Sequence, residues 1–142
     1  MNPPEIPSAT PRRLHGGCTC GAFRFVVDDA FGYALNCHCS LCRRTTGGAF
    51  KPFGGIERER LQLVAGEPAA LLVVGEPYGH DARCARCGSL LYSVVRDGAY
   101  VHVPYGVLDD APSRRPEAHI FVGSKAPWYD ITDDLPQHET YN

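Results

Sequence analysis

Three cysteines within six residues constrain this chain more than any other feature, and they stand in the stretch NCHCSLCRR at residues 36–44. In an extended strand, Cys37 and Cys39 point to the same face while His38 points away, and the next two residues allow a turn that returns Cys42 to the same point. Thiolates select zinc or iron–sulfur centres. Because zinc with three protein ligands keeps a fourth position open, we interpret this stretch as a candidate active site.

The other four cysteines stand in two pairs, and a glycine directly follows each pair: Cys18-x-Cys20-Gly21 and Cys84-x-x-Cys87-Gly88. Glycine accepts positive φ and lets backbone amides approach the sulfurs. Together the two pairs offer four thiolates, which is the ligand set of a closed, structural zinc site. Such a site joins segments more than sixty residues apart. It could contribute on the order of 10 kcal/mol to folding.

Spacing alone leaves another partition open, in which Cys18, Cys20, Cys37 and Cys39 form one site. Disulfides explain the pattern poorly, because seven cysteines is an odd number and bridges between cysteines two apart would close strained rings. The stretch 1–11 contains four prolines and no apolar core, so it does not resemble a signal peptide. We therefore expect a cytoplasmic protein in a reducing compartment.

Length and composition indicate one ordinary globular domain, with 142 residues of which 44% are hydrophobic. The formal net charge of -2 argues against general binding to nucleic acid or to an anionic membrane. No run of 18 apolar residues occurs, so no membrane-spanning helix is expected. We expect a disordered tail over residues 1–13, a zinc domain over 14–132 and a loose tail over 133–142.

The hydrophobic pattern predicts a mainly β fold of short antiparallel strands, because no window keeps helical periodicity over three turns. The predicted strands cover residues 23–27, 33–36, 49–53, 61–64, 71–74, 90–95, 100–103 and 119–122. Asp97-Gly98 predicts a tight two-residue turn in the hairpin formed by 90–95 and 100–103. Residues 57–60 predict a short turn or the start of a helix.

The remaining aromatic side chains carry less specific signals. His38 should face away from its neighbouring cysteines, so we expect it to support them or to pack rather than to bind metal. His102 and His119 fall in strand patterns and are expected to be ordinary core or edge residues. Trp128 and Tyr129 are expected to cap the hydrophobic core.

Charge separates the two candidate sites. Zinc with four thiolates is formally -2 and is a poor Lewis acid, whereas zinc with three thiolates is -1 and can still bind a thiolate or polarise a carbonyl oxygen. Arg43 and Arg44 would offset that charge and could receive substrate carboxylates through forked hydrogen bonds. The alternative is that the two arginines form a solvated surface pair.

Three motifs in order resemble those of the glutathione-dependent formaldehyde-activating enzyme family, whose domain is shared with centromere protein V. The motifs are Gly17-Cys18-x-Cys20-Gly21, Cys37-His38-Cys39-x-x-Cys42-Arg43 and Cys84-x-x-Cys87-Gly88-Ser89. The resemblance covers residues 14–129 and implies a β-tent fold. It also implies a structural zinc on Cys18, Cys20, Cys84 and Cys87, and a catalytic zinc on Cys37, Cys39 and Cys42. Nothing outside the metal motifs specifies a glutathione pocket.

The sequence therefore predicts a zinc-dependent carbon–sulfur lyase with two zinc ions per chain. Its expected substrate is a thiol–aldehyde adduct such as S-hydroxymethylglutathione, so its partners would be glutathione or a similar small thiol and an aldehyde. No general base is identifiable from the sequence. The rival hypothesis is a non-enzymatic zinc module that binds a protein or nucleic-acid partner. A fourth protein ligand at the three-cysteine stretch would favour that rival.

Overall fold

The structure of the protein, a computed structural model, describes residues 11–142. Most of the tail predicted over residues 1–13 thus lies outside the described residues. Arg13, at the end of that predicted tail, is already the first residue of a strand. Arg12 forms an ion pair with Asp29 at 3.1 Å.

The described chain is mainly β, as the sequence predicts. Its ten strands are β1 (Arg13–Gly17), β2 (Arg24–Asp28), β3 (Tyr33–Cys37), β4 (Lys51–Glu57), β5 (Leu61–Ala65), β6 (Leu71–Glu76), β7 (Gly79–Cys84), β8 (Leu90–Val95), β9 (Tyr100–Pro104) and β10 (His119–Ile120). A single α-helix, α1 (Ser40–Thr46), follows β3. Single 3-10 turns lie at Arg58–Arg60, Pro68–Ala70, Arg96–Gly98, Tyr105–Val107 and Val122–Ser124.

The strands form two sheets. The smaller sheet has the order β1-β2-β5, and the larger has the order β10-β3-β4-β9-β8-β7-β6. Neighbouring strands run antiparallel except for β10, which is parallel to β3. Alternate residues along the strands face inward and form one buried core: Leu14, Phe25, Val27, Ile56, Leu91, Val101 and Val103.

Most predicted strands have counterparts, but β1 and β7 were not predicted. β1 ends in two glycines, and β7 carries His, Asp and Arg between its apolar residues, so neither shows the usual strand composition. The strand predicted over 119–122 is only two residues long. It ends there because Phe121 takes a left-handed conformation, with φ 58°.

The hairpin of β8 and β9 is confirmed, but the predicted two-residue turn is wrong. The last cross-strand pair joins Val95 to Tyr100, which places Arg96–Ala99 in the connection. Arg96, Asp97 and Gly98 all have positive φ, at 54°, 55° and 89°. The connection is therefore a left-handed 3-10 loop in which the Asp-Gly pair supplies only part of the reversal.

Helix α1 stands where the sequence predicted only a turn. It has seven residues, too few for a periodic apolar pattern, and none of them is buried. Its ends hold it in place: the sulfur of Cys39 accepts a hydrogen bond from the amide of Cys42 at 3.3 Å, and Gly47 closes the helix with φ 72°.

The segment predicted to be loose from residue 133 is attached to β10 instead. The amide of His119 donates to the carbonyl of Pro136 at 2.8 Å, and the amide of His138 donates to the carbonyl of His119 at 2.9 Å. Farther along the chain, the amide of Phe121 donates a hydrogen bond to the carbonyl of Thr140 at 2.9 Å. Because these hydrogen bonds join backbone groups, the polar composition of the segment after residue 133 does not indicate that it is attached.

Within residues 11–142, no helix combines the length and the apolar character needed to cross a membrane.

Candidate metal centres

Four sulfurs converge where the turn after β1 meets the turn after β7. The sulfurs of Cys18, Cys20, Cys84 and Cys87, here called the four-thiol cluster, lie within 4.8 Å of one another. The sulfur of Cys20 is 3.7 Å from those of Cys18 and Cys84. Sulfurs at tetrahedral zinc, with bonds of about 2.3 Å, are about 3.8 Å apart. The donor set therefore fits zinc, and all seven cysteines are free thiols.

The first pair of this cluster has the turn geometry that its sequence predicts. Gly21 takes φ 81°, and its amide donates to the carbonyl of Cys18 at 3.2 Å. The amide of Phe23 donates to the sulfur of Cys18 at 3.3 Å. Such an amide stabilises thiolate charge and fixes the position of the sulfur.

The second pair repeats the arrangement. Gly88 takes φ 83° and donates to the carbonyl of Cys84 at 2.8 Å, while the amide of Cys87 donates to the sulfur of Cys84 at 3.4 Å. The hydroxyl of Ser89 lies 3.3 Å from the sulfur of Cys87, and this hydrogen bond lowers the pKa of Cys87 to about 5. In both pairs, backbone amides thus hold a cysteine sulfur in position.

Three sulfurs converge at the start of α1. Those of Cys37, Cys39 and Cys42, here called the three-thiol cluster, also lie within 4.8 Å of one another. β3 ends at Cys37, Cys39 stays extended, and the first helical turn returns Cys42 to the same point. Within residues 11–142, no histidine, carboxylate or further cysteine joins them as a fourth ligand. The alternative grouping of cysteines 18, 20, 37 and 39 does not occur in this part of the chain.

Two of the three thiols, Cys37 and Cys42, are electrostatically unequal. A hydrogen bond from Cys42 lowers the pKa of Cys37, and the same bond raises the pKa of Cys42. The positive charge of Lys51 acts in the opposite direction on Cys42. Cys37 is therefore the thiol of this pair that ionises first.

Lys51 is the site residue that the sequence analysis missed. It pairs directly with Cys37 across β3 and β4, so both side chains leave the same face of the sheet. Only 6% of Lys51 is exposed, and its ammonium lies 5.6 Å from the centre of the Phe53 ring. Among the described residues no carboxylate forms an ion pair with it. A charged residue inside an otherwise apolar predicted strand was the available signal.

Arg43 and Arg44 lie on α1 just after the last thiol. Arg44 is exposed and Arg43 is half-buried, and neither forms an ion pair within the described chain. Nε of Arg43 is buried without a hydrogen-bond partner in this part of the molecule. Their role toward a substrate stays a prediction.

His38 is absent from the three-thiol cluster and bonds to another histidine. Its Nε2 lies 2.8 Å from Nδ1 of His119, whose Nε2 lies 2.9 Å from a carboxylate oxygen of Asp133. The rings of Phe50 and Tyr129 pack beside His38, with centroids 4.9 and 6.4 Å away. His38 thus connects the segment that carries the three-thiol cluster to His119 and Asp133.

Trp128 does not cap the core as predicted, because 70% of it is exposed. Tyr129, its neighbour, is half-buried and packs against Phe50 at 5.5 Å between ring centroids.

Arg83 connects the two clusters. Its guanidinium donates to the carbonyl of Gly88 at 2.9 Å and to the carbonyl of Thr45 at 2.8 Å. The first carbonyl belongs to the turn of the four-thiol cluster, and the second belongs to the last turn of α1. One side chain therefore fixes the two thiol-bearing segments relative to each other.

Comparison with known proteins agrees with this architecture. The sequence model described as "Glutathione-dependent formaldehyde-activating enzyme" matches residues 13–124. A Halomonas elongata protein named "Putative glutathione-dependent formaldehyde-activating enzyme" is 32% identical over 130 residues, covering 83% of this chain and 80% of the relative. A crystal structure of a Rhodobacter sphaeroides protein superposes with a TM-score of 0.57 and 24% identity, covering 70% of this chain and 92% of that chain.

The structural likeness bears on the fold alone, and it agrees with the predicted β class. The match of the family model carries the assignment, because it spans most of the chain and includes every one of the seven cysteines. The protein is a member of the glutathione-dependent formaldehyde-activating enzyme family.

Proposed function

We propose that the protein makes and breaks the carbon–sulfur bond of a thiol–aldehyde adduct, with S-hydroxymethylglutathione as the reference substrate. The main support for this proposal is the three-thiol cluster, where three sulfurs converge and no fourth side-chain ligand joins them within residues 11–142. Three protein ligands with an open position are typical of catalytic rather than structural zinc. Family membership and the name of the Halomonas relative support glutathione and formaldehyde as the two halves of the adduct.

The proposed cofactors are two zinc ions, one at each cluster. Cys18, Cys20, Cys84 and Cys87 would hold the structural ion, and Cys37, Cys39 and Cys42 the catalytic one. When bound at the three-thiol cluster, zinc supplies a Lewis acid that favours the thiolate form of a bound thiol. The free thiols fit a reducing compartment, and we place the protein in the cytoplasm on that ground.

The reaction needs no oxidant or reductant. In the cleavage direction the carbon–sulfur bond breaks, the hydroxyl oxygen becomes the carbonyl oxygen of formaldehyde, and the hydroxyl proton ends on the sulfur of glutathione. Negative charge accumulates on sulfur while the bond breaks. The ammonium of Lys51, which leaves the same sheet face as Cys37, is buried and forms no ion pair among the described residues, so it can stabilise this charge.

Two cations on α1 remain available for the body of the thiol. Arg44 is exposed beside the three-thiol cluster, and Arg43 precedes it on the same helix. Forked hydrogen bonds from guanidinium groups suit carboxylates, of which glutathione has two. We therefore assign the carboxylates of the thiol half to these residues.

A zinc-resolved crystal structure of the reduced protein soaked with glutathione tests this function. We expect anomalous scattering from two zinc ions and the glutathione sulfur in the open position of the three-thiol site. A crystal of the Cys39→Ser variant, soaked in the same way, serves as the control and should show neither that zinc nor ordered glutathione. A fourth protein ligand at the three-thiol site would instead support the rival zinc module that binds a protein or nucleic acid.

A further inference from the structure

A cavity of about 490 Å³ lies on the sheet face that carries Cys37, although none of the three thiols lines it. Leu35 lines it and stands two residues before Cys37 on the same face of β3. The spacing along a strand places the two side chains about 7 Å apart. Phe53 and Ile120 also line the cavity, and both pack against Cys37. A substrate whose reacting carbon is at the thiols can therefore extend into this cavity.

The walls of the cavity are mainly aromatic and apolar, and Tyr141 and Asn142 add polar groups. The hydroxyl of Tyr33 and Nε2 of His102 are 2.7 Å apart, so these two polar groups satisfy each other. Phe53 stacks on His102 with ring centroids 4.2 Å apart. Burial lowers the pKa of His102 to about 3, which keeps its ring neutral at physiological pH. Gly55 makes room for this arrangement, because a Cβ there would lie 2.1 Å from the Tyr33 ring.

One cation stands among the residues that line the cavity. The guanidinium of Arg96 lies 5.1 Å from the centre of the Tyr33 ring and 4.7 Å from that of Tyr100. Arg96 forms no ion pair within residues 11–142, and the cavity lining includes no Asp or Glu. The cavity thus combines a mainly apolar body with one positively charged side chain and the polar groups of Tyr141 and Asn142.

We propose that this cavity binds the aldehyde half of adducts larger than the reference substrate, in which this half is an aromatic or branched aldehyde bearing one carboxylate, which Arg96 receives. The proposal rests on the carbon–sulfur chemistry assigned above. Formaldehyde has no substituent and would leave the cavity unused. Glutathione matches it poorly, because two amides, an ammonium group and two carboxylates need more polar partners than Arg96, Tyr141 and Asn142 supply.

Binding by NMR tests the cavity without relying on turnover. The probe is 3-phenylpropionate, added to the full, zinc-loaded chain, with 3-phenylpropanamide as its uncharged match. We expect the acid to shift the signals of Leu35, Val95 and Ile120, and the amide to bind at least tenfold more weakly. Binding should persist in Cys39→Ser, since the carboxylate contacts Arg96 rather than the metal.

Variants of Arg96 test whether its charge is what binds the carboxylate. Arg96→Gln should remove the difference between acid and amide, and Arg96→Lys should keep part of it. Arg115→Gln removes an exposed charge outside this cavity and should change neither affinity. Equal affinities for acid and amide in the unmodified protein would overturn the proposal. So would S-methylglutathione, if it shifted the cavity signals as strongly as 3-phenylpropionate.

Exchange measurements on the same samples separate this proposal from the function on which it rests. We expect faster exchange of glutathione with 4-formylbenzoate than with benzaldehyde, and at least a tenfold loss of that preference in Arg96→Gln. If the protein accelerates the exchange of glutathione with formaldehyde but 3-phenylpropionate does not bind in the cavity, only the assignment of the cavity is rejected. Probe binding without acceleration of any thiol–aldehyde exchange rejects the proposed function and leaves the cavity as a site for apolar anions.

Discussion

Nε2 of His38 lies 2.8 Å from Nδ1 of His119, although 81 residues separate them in the chain. The hydrogen bond with His119 lowers the pKa of Asp133. The ionised carboxylate of Asp133 therefore accepts a hydrogen bond from Nε2 of His119. Nδ1 of His119 is then the acceptor, and His38 donates from Nε2. This chain of bonds anchors the residue between Cys37 and Cys39.

Replacing His119 with Leu should destabilise the protein. The variant leaves the buried Nε2–H of His38 without an acceptor, which costs about 1–3 kcal/mol. The free energy of unfolding from denaturant titration measures the effect. His138→Leu is the matched control, because the described structure gives the ring of His138 no hydrogen bond. Equal stability of the two variants would mean that the histidine pair contributes nothing.

Arg83→Met should loosen the connection between the two clusters. The variant keeps the aliphatic stem but loses the bonds to the carbonyls of Gly88 and Thr45. We expect the free energy of unfolding to fall by about 1–3 kcal/mol and the three-thiol site to lose zinc faster to a chelator. Arg86→Met is the control, since Arg86 is exposed in the neighbouring turn. The same chelation rate in both variants would contradict this role.

The two clusters should fail in different ways. Cys87→Ser removes a ligand from the four-thiol cluster, which ties two distant segments together, so we expect poor expression or early melting. Cys39→Ser should fold almost normally and keep one zinc ion, whereas the unmodified protein, prepared reduced and zinc-replete, should contain two. Metal analysis and thermal melting measure both effects. Equal instability of the two variants would contradict the assigned division between structural and open sites.

Acid should destabilise the fold through His102. The folded pKa of about 3 lies below the unfolded value of about 6.5, so between these values the unfolded state binds the extra proton. The stability from the neutral ring is complete above about pH 6.5 and is lost as pH falls toward the folded value. Burial causes most of this shift, and the charges of Lys51 and Arg96 add to it, while Tyr33 faces the ring as a neutral phenol.

The comparison of the unmodified protein with His102→Gln isolates this effect, because protonation of the cysteine thiols is common to both. Free energies of unfolding from about pH 7.5 to about pH 4.5 cover the relevant window. We expect the unmodified protein to lose stability more steeply than the variant. Parallel curves would show that His102 does not titrate with unfolding.

Local spacing was sufficient to predict the three-thiol cluster. Cys37, Cys39 and Cys42 lie close in sequence, and a strand followed by a turn brings them together whatever surrounds them. The two glycine-terminated pairs suggested the four-thiol cluster, but their spacing left open whether Cys18 and Cys20 join the second pair or Cys37 and Cys39, and the structure shows the first grouping. The mainly β class followed from the short apolar segments.

Features that depend on distant pairing were not predictable. The position of Lys51 is set by its register with Cys37, and the partner of His38 is set by the parallel pairing of β3 with β10. Helix α1 escaped prediction because a cysteine caps it and no apolar face packs it. The attachment of residues after 133 uses backbone groups, which every sequence has.

The rate of exchange between formaldehyde and S-hydroxymethylglutathione tests the central claim most directly. Uncatalysed condensation is already fast, so the NMR exchange rate must be compared with and without protein at the same reactant concentrations. We predict acceleration that is proportional to the amount of zinc-loaded protein and lost in Cys39→Ser. An unchanged exchange rate with fully zinc-loaded protein, together with no binding of glutathione by calorimetry, would contradict the assignment of this substrate to the three-thiol site.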